Sequence, residues 1–274
     1  MDTLLAAIVM GIVQGLTEFL PVSSSGHLII VPYLLGITDP FITSLEFSVI
    51  LHIGTLAALL IYFRSDWLRL IPAFFAVLRE RSLGGDPDRR LVALLAVATV
   101  PALVLGYLLH DIEGLIRNVG LVAVMLVVGG GILWLAERVG RRERLALDLS
   151  FAQALAIGGA QAIALVPGIS RSGISISAGL FAGLQRDEAA RFSFLMATPI
   201  TAAAAAYELL NVIRGESIPF QAGPMAAGLV ASFVFGLLAI AVLLRFLRTR
   251  STDVFVLYRV LLAAFVLVTW LNLR

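Results

Sequence analysis

Six apolar runs set the limits on what this chain can fold into. They lie near residues 43–63, 90–109, 119–137, 188–210, 223–245 and 252–272, and each reaches the roughly 20 residues that a helix needs to cross a bilayer. Inside the hydrocarbon a segment must satisfy its own backbone N–H and C=O groups, so each run is predicted to be a transmembrane helix. Composition agrees. Of 274 residues, 60% are hydrophobic and 14% charged, against about 45–50% and about 25% in a soluble domain. The chain reads as an all-α polytopic membrane protein, with a single integral membrane domain over residues 1–274.

Two further apolar stretches are interrupted. Residues 4–36 break at Pro21 to Gly26, within PVSSSGH, and residues 151–184 break at Pro167 to Gly173. Each half is too short to cross alone. A short helix, a polar break and a second short helix form the pattern of a re-entrant helical hairpin. Such a break is tolerated at depth only where protein or a water-filled cavity covers it.

The two breaks also match each other. QGLTEFLPVSSSG (14–26) and QAIALVPGISRSG (161–173) align without a gap. Gln14 falls over Gln161, Ser23 over Ser170, Ser25 over Ser172 and Gly26 over Gly173, while Glu18 falls over Leu165 and Ser24 over Arg171. Each break is followed by three spans. Three is odd, so the second copy enters from the opposite face. The expected architecture is six transmembrane helices plus two re-entrant helical hairpins in an inverted-topology repeat of 1–147 and 148–274, with both hairpins meeting near the midplane.

Charge gives orientation. The loops at 64–90, 138–144 and 245–250 concentrate arginine and fall on one side, which marks that side as cytoplasmic; those at 110–118 and 211–222 are poorer in it and lie outside. The pI of 9.4 arises from these loop arginines, so no nucleic-acid partner is expected. There is no cysteine, which excludes disulfides and thiolate metal sites.

Polar groups in lipid are costly and need a use. Gln14 and Glu18 are four apart and share a helix face. Pro21 ends that helix and SSSGH opens the next, whose first N–H groups lack intrahelical partners. Those N–H groups, the half-helix dipole and the hydroxyls of Ser23, Ser24 and Ser25 make an anion site. The second break adds Ser170, Arg171, Ser172 and Gly173, and arginine suits a bidentate grip on phosphate. Together the breaks predict a buried phosphate cradle beside a carboxylate, Glu18, and an imidazole, His27.

Plainer roles stand beside each assignment. Serines in membrane helices bond the chain's own carbonyls, and Glu18 can simply neutralise Arg171. His27 can cap a helix, Gly26 and Gly173 can serve tight turns, and Gln14 and Gln161 can be packing groups. His52, Glu208 and Arg259 are expected to be structural or interfacial, and Glu46 to play a supporting part near a membrane end.

QGLTEFLPVSSSGH resembles the (E/Q)-x-x-x-E and P-V-S-S-[ST]-G-H region of the undecaprenyl-diphosphate phosphatase family, also known as bacitracin-resistance proteins. PGISRSG is similar to the family's P-G-x-S-R-S-G motif. Motif spacing, length and span count also fit. The resemblance implies removal of the terminal phosphate of undecaprenyl diphosphate, recycling the carrier lipid for peptidoglycan and other envelope polymers and conferring bacitracin resistance. It implies a bacterial cytoplasmic (inner) membrane location, a site opening to the periplasmic or outer side, and a divalent cation, Mg²⁺ or Ca²⁺. Glu18 takes the family's second acidic position, Ser24 the nucleophile or phosphate-contact position, His27 the motif histidine and Arg171 the phosphate-binding arginine. Ser23, Ser25, Gly26, Ser170, Ser172 and Gly173 become substrate-binding. Glu18 and Gln14 become metal ligands, with Gln14 standing where some members have Glu. The expected partners are a polyprenyl diphosphate lipid, the bilayer and, as an open expectation, a second copy in a homodimer.

Three mechanisms follow from the residues. Ser24 attacks the terminal phosphorus with Glu18 or His27 taking its proton, or His27 is itself the nucleophile, or a metal-bound water attacks directly. The rival class is a lipid-phosphate flippase or anion transporter using the same cradle, because inverted repeats with broken helices also build transporters.

Overall fold

The structure, a computed structural model, describes residues 1–108, 118–214 and 221–272, except the side chains at 208, 209 and 211–214. Glu208 therefore lies outside the described side chains, as does most of the loops at 110–118 and 211–222. The described chain is all-helical: α1 (Thr3–Phe19), α2 (Ser24–Leu35), α3 (Leu45–Tyr62), α4 (Arg64–Glu80), α5 (Pro87–Leu108), α6 (Val119–Val139), α7 (Phe151–Ala162), α8 (Arg171–Phe181), α9 (Arg186–Arg214), α10 (Ala222–Leu247) and α11 (Asp253–Asn272). Six of these, α3, α5, α6, α9, α10 and α11, are long and apolar enough to cross a membrane. They fall within a few residues of the six apolar runs. The starts follow from the sequence. Ser44 Oγ accepts the Phe47 N–H ahead of α3, and Asn118 Oδ1 accepts those of Gly120 and Leu121 ahead of α6.

One expectation is corrected. Residues 64–90, read as a loop, contain the 17-residue helix α4, separated from α3 only by Phe63. Its longest uninterrupted apolar run, LIPAFFAVL at 70–78, is bounded by Arg69 and Arg79 and is too short to read as a span. Leu68, Ile71, Phe75 and Leu78 lie exposed along one face, while Leu70 and Asp66 face the protein.

The interrupted stretches are interrupted in the structure too. α1 stops at Phe19, Leu20 is extended before Pro21, and α2 begins at Ser24. α7 runs into a 3₁₀ turn at Ile163–Leu165, and α8 begins at Arg171. Both second helices are capped alike. Ser23 and Ser170 sit at φ +75° and +76°, a region non-glycine residues rarely occupy. Each side chain accepts the N–H three residues on, that of Gly26 or Gly173.

Close helix contacts bring the breaks into the interior. α1 lies along α10 with backbones touching: a Cβ on Gly15 would stand 2.6 Å from the Ser232 carbonyl oxygen, and Gly11 meets Gly228 the same way. α8 packs on α6, α7 and α9, and α2 on α1 and α6. Beside the first break, Phe19 meets Phe194 edge-on with centroids 5.3 Å apart, inside the main apolar core. At the arginine-rich end, buried Glu137 accepts from Arg142, Arg186 and Thr252, which ties the end of α6 to the starts of α9 and α11.

Candidate active site

The end of α1 carries a carboxylate beside both breaks. Glu18 is buried, and four side chains converge on it. Gln14, one turn earlier, donates from Nε2 to Oε2 at 2.9 Å. The Ser24 hydroxyl, in the first turn of α2, donates to the same oxygen at 2.6 Å. Arg171, in the first turn of α8, donates from Nη2 to Oε1. His52 Nε2, in the middle of α3, stands 3.4 Å from Oε2. Residues 153 positions apart are thus joined by one ion pair because each opens or closes a half-helix at a break. Arg171 also donates from Nη1 to Thr201 Oγ1 at 2.8 Å, which fixes the guanidinium against α9.

The remaining hydroxyls shape the two turns. Ser25 Oγ lies 3.3 Å from Ser23 Oγ, and Ser172 Oγ lies 3.2 Å from Ser170 Oγ. Ser172 also donates to the Leu20 carbonyl at 3.0 Å, bonding the second break to the first. Capping by Ser23 and Ser170 satisfies the N–H groups of Gly26 and Gly173. The earlier N–H groups of both helices have no partner within their own helices, the arrangement that suits a helix start to an anion. Glu18, Phe19, Arg171, Ser172, Ser193, Phe194 and Ala197 line a small cavity at this point.

Of the residues expected here, Gln14, Glu18, Ser24 and Arg171 meet side chain to side chain. His27 points elsewhere. Its Nδ1 is 2.7 Å from the Ser23 carbonyl oxygen and its Nε2 is 2.7 Å from the Tyr258 hydroxyl, and the two rings lie parallel. Gln161, the counterpart of Gln14, is buried with neither amide atom hydrogen-bonded to the described residues. Glu46 sits in the first turn of α3.

Three contributors escaped the sequence. His52 was read as structural, yet it contacts the carboxylate, with Nδ1 2.7 Å from the Ser48 carbonyl oxygen one turn back. Thr201 carries no signal beyond a hydroxyl in an alanine-rich span. Tyr258 is marked only by its neighbour Arg259, a charge inside an apolar run.

A divalent cation can be weighed against the donors. Among the described residues no group of three or more His, Asp or Glu side chains could hold a metal ion. However, Gln14 Oε1 is buried with no hydrogen-bond partner among the described residues, on the amide whose Nε2 donates to Glu18. One carboxylate and one free amide oxygen fit a hard cation that takes its other ligands from substrate phosphates and water.

The family model described as bacitracin resistance protein BacA matches residues 7–265. A protein of Rubrobacter xylanophilus is 48% identical over 266 residues, covering 96% of this chain and 97% of its own. One of Desulforudis audaxviator is 46% identical over 263 residues, 95% of each chain, and one of Gemmatimonas aurantiaca is 45% identical over 270 residues, 97% and 98%. All three carry the name undecaprenyl-diphosphatase. With both motifs and five of the six candidate spans of the described residues inside that match, and the sixth begun within it, the chain belongs to the bacitracin resistance protein BacA family.

Proposed function

We propose that this chain hydrolyses undecaprenyl diphosphate to undecaprenyl phosphate and inorganic phosphate, recycling a carrier lipid for peptidoglycan and envelope polymers. The observation that carries the reading is the Ser24 hydroxyl donating at 2.6 Å to Glu18, whose other oxygen is held by Arg171. That is a nucleophile on its base, with the base facing a phosphate-binding cation. A flippase or anion carrier needs the cation but not the nucleophile.

In the resting site Arg171 is spent on Glu18. The terminal phosphate draws Arg171 onto its own oxygens, with the first N–H groups of α2 and α8 completing the cradle. Glu18, freed of Arg171, takes the Ser24 proton as Oγ bonds to the terminal phosphorus. The bridging P–O bond breaks, and its electron pair leaves with undecaprenyl phosphate. Glu18 sheds that proton to solvent. It then takes one from the water that attacks the phosphoserine, and returns it to Ser24 Oγ as phosphate departs. Thr201 aims Arg171, and Gln14 and His52 hold the Glu18 carboxylate. His27, engaged at both ring nitrogens, supports the Ser23 turn in this scheme. Glu18 and Gln14 Oε1 would hold a Mg²⁺ or Ca²⁺ ion, which supplies charge neutralisation for the diphosphate.

The finer architecture belongs to the same proposal. The matching caps at Ser23 and Ser170 support two re-entrant hairpins in an inverted repeat of 1–147 and 148–274. The arginine-rich loops support the orientation, the family resemblance supports an inner-membrane chain with its site open to the outer side, and a homodimer is left to cross-linking in native membranes. The deciding experiment is phosphate release from undecaprenyl diphosphate by purified protein, with Mg²⁺, Ca²⁺ or EDTA. Metal-dependent release that is lost in Ser24→Ala and Arg171→Ala carries the reading. Lipid binding without release under any metal defeats it.

A further inference from the structure

Arg259 is the only large side chain in α11 with no exposed surface, and among the described residues no carboxylate pairs with it. Its guanidinium donates to backbone carbonyls: Leu126 at 2.9 Å, Pro21 at 3.2 Å, Gly168 at 2.8 Å and Ile169 at 2.9 Å, with Met125 at 3.4 Å. Pro21 belongs to the first break, Gly168 and Ile169 to the second, and Leu126 and Met125 to α6. One planar fork therefore holds both breaks against one helix. The space for it is made by Gly129, where a Cβ would stand 2.6 Å from the Ile169 carbonyl oxygen and collide with the guanidinium. The guanidinium also lies directly behind the first turn of α8, since Nη1 is 3.0 Å from where a Gly173 Cβ would be.

Arg171, partly exposed, and Arg259, fully buried, therefore differ in charge balance. Arg171 is neutralised by Glu18 at rest, whereas the Arg259 hydrogen bonds all go to neutral carbonyls. A guanidinium stays protonated in proteins, so this charge persists behind both breaks. We infer that Arg259 is a positioning residue with two separable effects: its charge makes the empty cradle attractive to a diphosphate, and its fork sets the register of one break against the other. The inference deepens the phosphatase reading and rests on it for the identity of the anion. At an illustrative separation of roughly 10 Å and an effective dielectric of about 20, one unit charge changes the affinity of a singly charged anion by about tenfold, and that of a diphosphate by at least as much.

The test pairs a charge-removing variant with a charge-keeping one. Inorganic diphosphate is titrated onto metal-free protein in detergent and followed by phosphorus NMR, beside phosphate release from the lipid with metal present. Arg259→Gln is expected to weaken diphosphate binding about tenfold. Arg259→Lys, which keeps the charge and loses the fork, is expected to bind diphosphate within about threefold of the parent while losing at least about tenfold in kcat. Arg259→Gln binding like the parent overturns the electrostatic part. If that variant does not fold, Arg259→Lys decides alone: affinity and turnover falling together would mean packing only, and overturn the inference. Parent protein that binds diphosphate yet releases no phosphate from the lipid would instead defeat the phosphatase reading and leave the role of Arg259 standing.

Discussion

Glu18→Gln separates binding from turnover in a way that follows directly from the resting contacts. The carboxylate accepts from Gln14, Ser24 and Arg171 and faces His52. The substitution is isosteric but removes the base, and a positioned base contributes about 10²–10⁴-fold, so kcat should fall by that factor. It also removes the anion that holds Arg171. A hydrogen bond to a charged group is worth about 1.5–3 kcal/mol, and Arg171 must give one up to Glu18 before it grips phosphate. Part of that cost vanishes in the variant, so metal-free diphosphate binding should tighten by up to about ten- to a hundredfold. The assay is phosphate release at saturating lipid, paired with a phosphorus NMR titration of inorganic diphosphate in EDTA. Thermal unfolding controls for folding, because stripping one partner from a buried pair costs about 3–5 kcal/mol when nothing replaces it. Weaker diphosphate binding with kcat intact would refute the reasoning, for Glu18 would then be part of the grip and not the base.

Three further outcomes are expected. His52→Leu should lower kcat about tenfold, while His52→Gln, which keeps a donor facing Glu18, should recover most of it; equal loss in both would mean that ring volume matters and the contact does not. Gly15→Ala should lower the unfolding midpoint by forcing α1 off α10, at a cost of about 1–3 kcal/mol for an overpacked contact; an unchanged midpoint would mean that the helices part freely. A reporter fused after Arg144 should read as cytoplasmic, and a periplasmic signal there would reverse the orientation.

The parts of the molecule legible in the sequence are those governed by local rules. A continuous apolar run has one fate in lipid, so α3, α5, α6, α9, α10 and α11 could be drawn within a few residues. Pro21 and the serine cluster announced a helix end and a new helix start, and the pairing of Glu18 with Arg171 stood among the plainer roles, as neutralisation between two breaks. α4 was hidden because charges at both ends leave an apolar run only over 70–78, so a search for runs of roughly 20 residues passes over it. His52 and Arg259 were hidden for a different reason. Their partners, Glu18 on α1 and the carbonyls of both breaks, are remote in sequence, and an isolated polar side chain in a span does not say which neighbour satisfies it. His27 shows the converse: a residue beside the serines in sequence turns away in space, toward Tyr258.

α11 has the smallest buried share of the six candidate spans, and only Arg259, Ala263 and Val266 are buried along it. Leu257, Leu261, Phe265, Val268 and Leu271 face outward. Yet this helix supplies both the hydroxyl that meets His27 and the guanidinium that joins the two breaks. A helix so surrounded by lipid takes its tilt partly from the thickness of the hydrocarbon around it. Tyr258 and Arg259 sit on that lever, so a thicker or thinner bilayer pulls on the turns that cradle the phosphate. Turnover is therefore expected to vary with acyl-chain length when measured in bilayer discs of graded thickness, and equal turnover across thicknesses would refute that coupling.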